Sequence, residues 1–171
     1  MAGMRHGGIP VAVDISIDVS NRQRTVLVNT RRLEAVARAA LAAEAVTAAE
    51  LSIIVVNDRR IATIHEKWLD DPTPTDVITF DLGMPGDPSL RGDIVVSAET
   101  AAREARRLAQ GRQGWTPQLE LAYYLVHGIL HLTGHDDRAA EDRRRMRLRE
   151  RSVMKAAGLP PPPRRPPRRR S

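Results

Sequence analysis

His127 and His131 stand four residues apart in the run His127-Gly128-Ile129-Leu130-His131-Leu132. On a helix, four steps of about 100° overshoot one turn by roughly 40°, with a rise of about 6 Å. Two imidazoles so placed can share one metal ion. Gly134 can stop the helix just beyond them, and His135, Asp136 and Asp137 offer further donors. A metal site compressed into eleven residues points to hydrolytic chemistry. The chain has no cysteine, so disulfides and thiolate ligands are excluded and any metal must use imidazole and carboxylate groups.

The segment that carries the pair runs from Pro117 to Thr133. Leu119, Leu121, Ala122, Leu125, Val126, Ile129, Leu130 and Leu132 cover most of its circumference, so it reads as a buried central helix. One stripe differs: Glu120, Tyr124, His127 and His131, at spacings of four, three and four. Polar groups on a buried face need partners. A metal satisfies both histidines, and Glu120 is a candidate to orient them. In the zinc-peptidase pattern His-Glu-x-x-His, a glutamate follows the first histidine as general base. Here Gly128 takes that place, which either admits a close neighbour in packing or lets substrate approach.

The rest of the chain must position this helix. Val11 to Val19 alternates apolar and polar residues and reads as a half-buried strand. Thr30 can cap a helix running to about Glu44, whose apolar face is Leu33, Val36, Ala37, Ala40 and Leu41. Leu51 to Val56 is a central strand, and Asn57 or Asp58 caps a helix through Trp68. Val77 to Phe80 is a third strand, Gly83 to Gly92 a loop and Ile94 to Val96 a fourth strand. Ser97 caps a helix to about Gln110, Thr116 caps the central helix with Pro117 at its first position, and Ala139 to Ala157 forms the last helix. The expected fold is a single α/β domain over residues 11–158: a small four-stranded mixed sheet packed with helices. Residues 1–10 read as a flexible N-terminus, and the Pro/Arg segment 159–171 as a disordered basic tail.

The 171 residues carry a formal charge of +6, to which the tail arginines 164, 165, 168, 169 and 170 contribute most. No apolar run reaches membrane-spanning length and no signal segment is evident, so a cytoplasmic protein without membrane contact is expected. Arg103, Arg106 and Arg107 cluster on one helix and Arg143, Arg144 and Arg147 on another. They read either as solvated helical faces or as sequence-blind phosphate contacts. Aromatic residues make up only 3% of the chain, so base stacking is a small term in any RNA recognition.

The string His127-Gly128-x-Leu130-His131-Leu132-x-Gly134 resembles the signature of the YbeY endoribonuclease family, the bacterial rRNA maturation factors. Thr75-Asp76-Val77-Ile78-Thr79-Phe80 is similar to that family's Thr-Asp-Val-Leu-Ser-Phe strand, and Gly92-Asp93-Ile94-Val95-Val96-Ser97 to its Gly-Asp-Ile strand. Order and spacing agree from about residue 14 to 157. The resemblance implies one Zn2+ per chain and single-strand-specific RNA cleavage through metal and water. It places the activity in 16S rRNA 3′ end maturation and ribosome quality control, with ribosomal RNA and the small ribosomal subunit as partners and no nucleotide cofactor. It assigns His127 and His131 as ligands. The family's third ligand, a histidine six residues further on, is Asp137 here, with His135 as the alternative; a carboxylate is an ordinary zinc ligand. A family arginine six residues before the strand motif is replaced by Leu69, and Lys67, Arg59 and Arg60 lie nearby. Glu120, Tyr124, Asp76 and Asp93 are candidates to orient ligands or meet substrate. Two competing readings are a non-catalytic ribosome-assembly factor with an enclosed structural zinc, and a metalloprotease, which Gly128 disfavours.

Overall fold

The computed structural model describes residues 13–109 and 114–165. Four strands, β1 (Asp14–Asn21), β2 (Ala48–Val56), β3 (Val77–Asp81) and β4 (Leu90–Ser97), form one sheet in the order β1-β2-β4-β3. β1, β2 and β4 run parallel, and β3 pairs antiparallel with β4 at the edge. The helices are α1 (Thr30–Ala43), α2 (Asp58–Leu69), α3 (Ala98–Ala109), α4 (Pro117–Leu132) and α5 (Ala140–Ala156). The expected single α/β domain with a four-stranded mixed sheet is the observed architecture.

Strand side chains alternate between faces, and that alternation divides the molecule into layers. Leu51, Ile53 and Val55 of β2 and Ile94 and Val96 of β4 join the main core, with buried residues of α1, α3, α4 and α5. Val56, Ile78 and Val95 point the other way and pack with Ile61 of α2. α2 therefore covers one face, and the other four helices cover the opposite one. α1 buries Leu33, Val36, Ala37, Ala40 and Leu41, the stripe its periodicity predicts. Its N-cap is Asn29, whose side chain accepts from Arg32 N, rather than Thr30. β4 starts at Leu90, inside the expected loop, because its first residues pair with Ala49 to Leu51 of β2.

α4 lies in the middle of the larger layer and is buried at every position from Glu120 to Leu130. Thr116 caps it by accepting from Leu119 N at 3.3 Å, and Pro117 opens it. A Cβ added at Gly128 would stand 3.0 Å from Thr79 Oγ1 and 3.1 Å from Ile94 Cγ2. Of the two roles open to this glycine, close packing is the one it fills: it lets α4 settle onto β3 and β4.

The segment after α5 departs from expectation. Leu159, Pro162 and Pro163 are buried and Arg165 reaches α4, so residues 159–165 are packed rather than disordered. The expectation for the flexible residues 1–10, and for 166–171 of the tail, falls outside the described residues.

Candidate metal centre

The C-terminal end of α4 shapes the site. After Thr133 the chain turns through Gly134 at φ +97°, a left-handed conformation that glycine adopts without steric cost. Gly134 N donates to His131 O at 3.1 Å and His135 N to Leu130 O at 3.0 Å, the paired bonds of a Schellman turn. The turn carries the His135 carbonyl back to the histidines, where it lies 3.0 Å from His131 Nδ1. A carbonyl only accepts, so His131 Nδ1 is the protonated nitrogen. His127 Nδ1 lies 2.7 Å from Glu150 Oε1 of α5, which fixes its tautomer the same way. The two Nε2 atoms are left with their lone pairs facing each other, 3.0 Å apart.

Two lone pairs at that distance repel unless a cation or a proton lies between them. Two nitrogens at the usual distance from a tetrahedral zinc stand about 3.3 Å apart, so the pair fits a shared metal without large movement. Asp137 supplies the third donor: its Oδ2 lies 3.7 Å from His127 Nε2 and its Oδ1 3.8 Å from His131 Nε2. One ligand atom from each of His127, His131 and Asp137 falls within 4.8 Å of the others. Burial, reinforced by the neighbouring His127, holds the His131 imidazole below its ordinary pKa, against the pull of Asp137; this favours the neutral form that ligates. The cluster is open on one side, since the side chains of His131 and Asp137 are 31% and 32% exposed while that of His127 is 6% exposed.

His135, the alternative third ligand, is turned away. Its Nε2 lies 2.8 Å from Glu44 Oε2 at the end of α1, and Glu44 also accepts from Arg149 and Thr133. Burial pushes the Glu44 carboxyl up, but the hydrogen bonds from His135 and Arg149 outweigh it and hold the group below its usual range. The local pattern after Gly134 leaves open which donor faces inward; in the structure Asp137 faces the two Nε2 atoms and His135 faces Glu44.

Glu120 does not orient the histidines. Its carboxylate accepts from Trp115 Nε1 at 2.6 Å and from both terminal nitrogens of Arg165, at 2.6 and 2.7 Å. It lies two helical turns before His127, too far along the axis to reach the ring. Glu150 does that work instead, and also accepts from the Tyr123 hydroxyl at 3.2 Å. A sequence signal for it existed. Glu150 stands four residues after Met146 and three and four before Val153 and Met154, so it belongs to the buried stripe of an otherwise arginine-rich helix. Glu44 gave no such signal, because its partners lie about 90 or more residues away.

Tyr124 is fully buried, with its hydroxyl beside the Glu120 carboxylate. Burial pushes its phenol well above the ordinary value, and the charges of Glu120 and Asp76 add to that. Asp76 caps the entry to β3 by accepting from Val77 N at 2.9 Å. Asp93 is the fourth residue of β4 rather than its start. It shares a face with Val95, the α2 side, while Gly92 and Ile94 face α4. The alternation of the strand therefore keeps Asp93 from the histidines.

The arginines divide. Arg103 pairs with Asp58 at 2.7 Å and Arg107 with Glu104 at 2.7 Å, while Arg106 Nε donates to Ala102 O. Arg143 braces the turn before α5 by donating to the carbonyls of Asp137 and Arg138. Arg144 and Arg147 are exposed and make no side-chain hydrogen bond or ion pair among the described residues. Arg103 and Arg106 also line an open groove of about 600 Å³ with Thr25, Val26, Leu27 and Asp58. Leu69, in place of the expected arginine, is exposed at the end of α2, and Lys67 lies 5.3 Å from the centre of the Trp68 ring.

The family model described as Endoribonuclease YbeY matches residues 18–158. An endoribonuclease YbeY of Anaeromyxobacter dehalogenans is 45% identical over 130 residues, which cover 75% of this chain and 65% of that relative's length. One of Geobacter sulfurreducens is 37% identical over 146 residues, covering 81% of this chain and 93% of the relative. The solution structure of a Thermotoga maritima protein shares the fold, with a TM-score of 0.55 and 21% identity over 82% of this chain and 90% of that one. The matched span holds both imidazoles, the Gly134 turn, the Asp137 carboxylate and all of the sheet beneath them except the first half of β1, and the chain belongs to the YbeY endoribonuclease family.

Proposed function

We propose that this protein is a zinc-dependent, single-strand-specific endoribonuclease that works in the cytoplasm on ribosomal RNA, in 16S rRNA 3′ end maturation and ribosome quality control, in contact with the small ribosomal subunit. The observation that carries the reading is the convergence of His127 Nε2, His131 Nε2 and one Asp137 oxygen on a single point that solvent reaches. Family membership supports RNA as the substrate. Among the described residues no helix is long and apolar enough to cross a membrane, which accords with a substrate in the cytoplasm.

Zinc held there supplies Lewis acidity and a bound water of lowered pKa. The chain's own groups do the rest. Glu150 and the His135 carbonyl keep both imidazoles in the ligating tautomer. The exposed edge of the cluster, at His131 and Asp137, is where a phosphodiester can enter. Charge that develops on the phosphoryl oxygens needs donors. With Leu69 in the arginine position, Lys67, Arg59 and Arg60 are the nearby candidates in sequence. Arg144 and Arg147 are the solvent-facing cations best suited to track an RNA backbone, while Arg103, Arg106, Arg107 and Arg143 contribute only after leaving or sharing the contacts that now occupy them.

A structural zinc in an assembly factor calls for an enclosed ion, and the exposed side of this cluster argues against it. A peptidase requires the missing glutamate at Gly128, where the backbone is pressed against β3 and β4. The test is incubation of the purified protein with ribosomal RNA and with casein, with and without chelator. The expected result is chelator-sensitive cleavage of RNA alone, lost in His127→Ala. RNA cleavage that persists in His127→Ala overturns the proposal.

A further inference from the structure

The segment after α5 lies beyond the family match, which ends at residue 158. It is nonetheless tied to the metal helix. Arg165 grips Glu120 with a two-pronged contact of 2.6 and 2.7 Å, and Glu120 is fully buried. A buried carboxylate needs a partner; Trp115 supplies one neutral donor and Arg165 the only cation the structure shows on it among the described residues. The same guanidinium lies 4.0 Å from the centre of the Tyr123 ring. Tyr123 in turn donates to Glu150, and Glu150 holds His127 Nδ1. An unbroken set of contacts therefore runs from Arg165 through Tyr123 and Glu150 to a metal-binding imidazole. Leu159, Pro162 and Pro163 anchor the segment that delivers it.

We propose that residues 159–165 form a strap that braces the metal site, with Arg165 as a positioning residue for His127 acting through Tyr123 and Glu150. This role rests on the metal reading above. The strap is short of backbone donors because of its prolines, so the arginine fork and the buried Leu159 hold it down. Once docked, the guanidinium limits the tilt of the Tyr123 ring. The tyrosine hydroxyl then keeps Glu150 on the imidazole rather than free to swing into solvent.

The test uses the full-length chain, stripped of metal and titrated with cobalt(II), whose visible absorption reports tetrahedral ligation. Variants are Arg165→Ala, Arg165→Lys, Tyr123→Phe and, as a control, Arg164→Ala, an exposed neighbour of equal charge. Removal of groups that orient a ligand from outside the coordination sphere weakens metal binding by about 10–100-fold. Arg165→Ala, acting from further out, is expected at the low end, about tenfold, with a changed cobalt spectrum. Tyr123→Phe should weaken binding similarly, and the double variant by little more than either single one, because both break the same path. Arg165→Lys should recover part of the loss, and Arg164→Ala should bind like the parent. A merely structural strap lowers the urea midpoint of Arg165→Ala but leaves cobalt affinity and spectrum at parental values, and that result overturns the proposal. Should Arg165→Ala not fold, Arg165→Lys and Tyr123→Phe carry the same comparison: parental affinity in both refutes the role. A parent chain that takes up no cobalt sinks the metal reading itself, and this role with it, whereas parental binding with unaffected variants sinks the strap alone.

Discussion

Replacing Glu150 with glutamine isolates one charge at the metal centre. Glutamine is nearly the same size and its amide oxygen can still accept from His127 Nδ1, so the 2.7 Å contact survives with its charge removed. A hydrogen bond to a charged group contributes about 1.5–3 kcal/mol, and a neutral one about 0.5–1.5 kcal/mol. The difference is about 1–1.5 kcal/mol, roughly a tenfold loss of zinc affinity. The side chain is only 4% exposed, so solvent screens little of that effect. Alanine at the same position goes further, because it strands His127 Nδ1 and the Tyr123 hydroxyl together; about 100-fold is expected, the upper end for such orienting groups. Zinc affinity is read by competition with a chromophoric chelator at pH 7, and the His127 Nδ1 proton by NMR of the metal-free protein. If Glu150→Gln matches the parent in zinc affinity and the proton resonance does not move, the carboxylate does not tune this imidazole and the reasoning fails.

Asp137→Ala should lose zinc by tenfold or more while His135→Ala retains it, since the His135 ring is held by Glu44; the reverse order in a chelator competition identifies the wrong third donor. Gly128→Leu should cost about 1–3 kcal/mol in urea denaturation, because its side chain has to displace Thr79 and Ile94 from positions already 3.0 and 3.1 Å from a Cβ. Asp58 gives a pH test. Burial pushes its carboxyl up, but hydrogen bonds from Ser97, Thr100 and Arg103 outweigh this and hold it below the usual range. A group whose pKa falls on folding stabilises the fold above its unfolded pKa, near 4, and loses that contribution as pH drops through the lower folded value. The stability gap between the parent and Asp58→Asn should be full at pH 7 and close below about pH 4; a gap that widens in acid contradicts the assignment.

The sequence reading reached those parts of the molecule that depend on local pattern. The histidine pair, the all-round apolar helix and the Gly134 stop are all written within one stretch of chain, and so is the buried stripe of α1. What escaped it depends on long-range partners. Glu120 sits in the stripe of the histidines, yet its contacts go to Trp115 and to Arg165, 45 residues away. Glu150 was hidden among arginines although its spacing matches the apolar positions of α5. Asp93 lies between a segment that reads as loop and one that reads as strand, and only pairing with β2 shows that it sits inside β4 and which face it occupies. The Pro/Arg segment has a disordered composition, but composition does not reveal that a buried carboxylate is waiting for an arginine.

The burial of α4 on every side also constrains how this protein can change. A helix enclosed by a sheet and three neighbouring helices offers almost no site where substitution goes unpunished. The two imidazoles are, in effect, locked into the scaffold. Freedom to retune the preferred ion or its reactivity is concentrated in the short connection from Thr133 to Ala139, where every residue is half-buried or exposed and a new side-chain donor displaces none of the core. Efforts to redesign the site should begin in that connection.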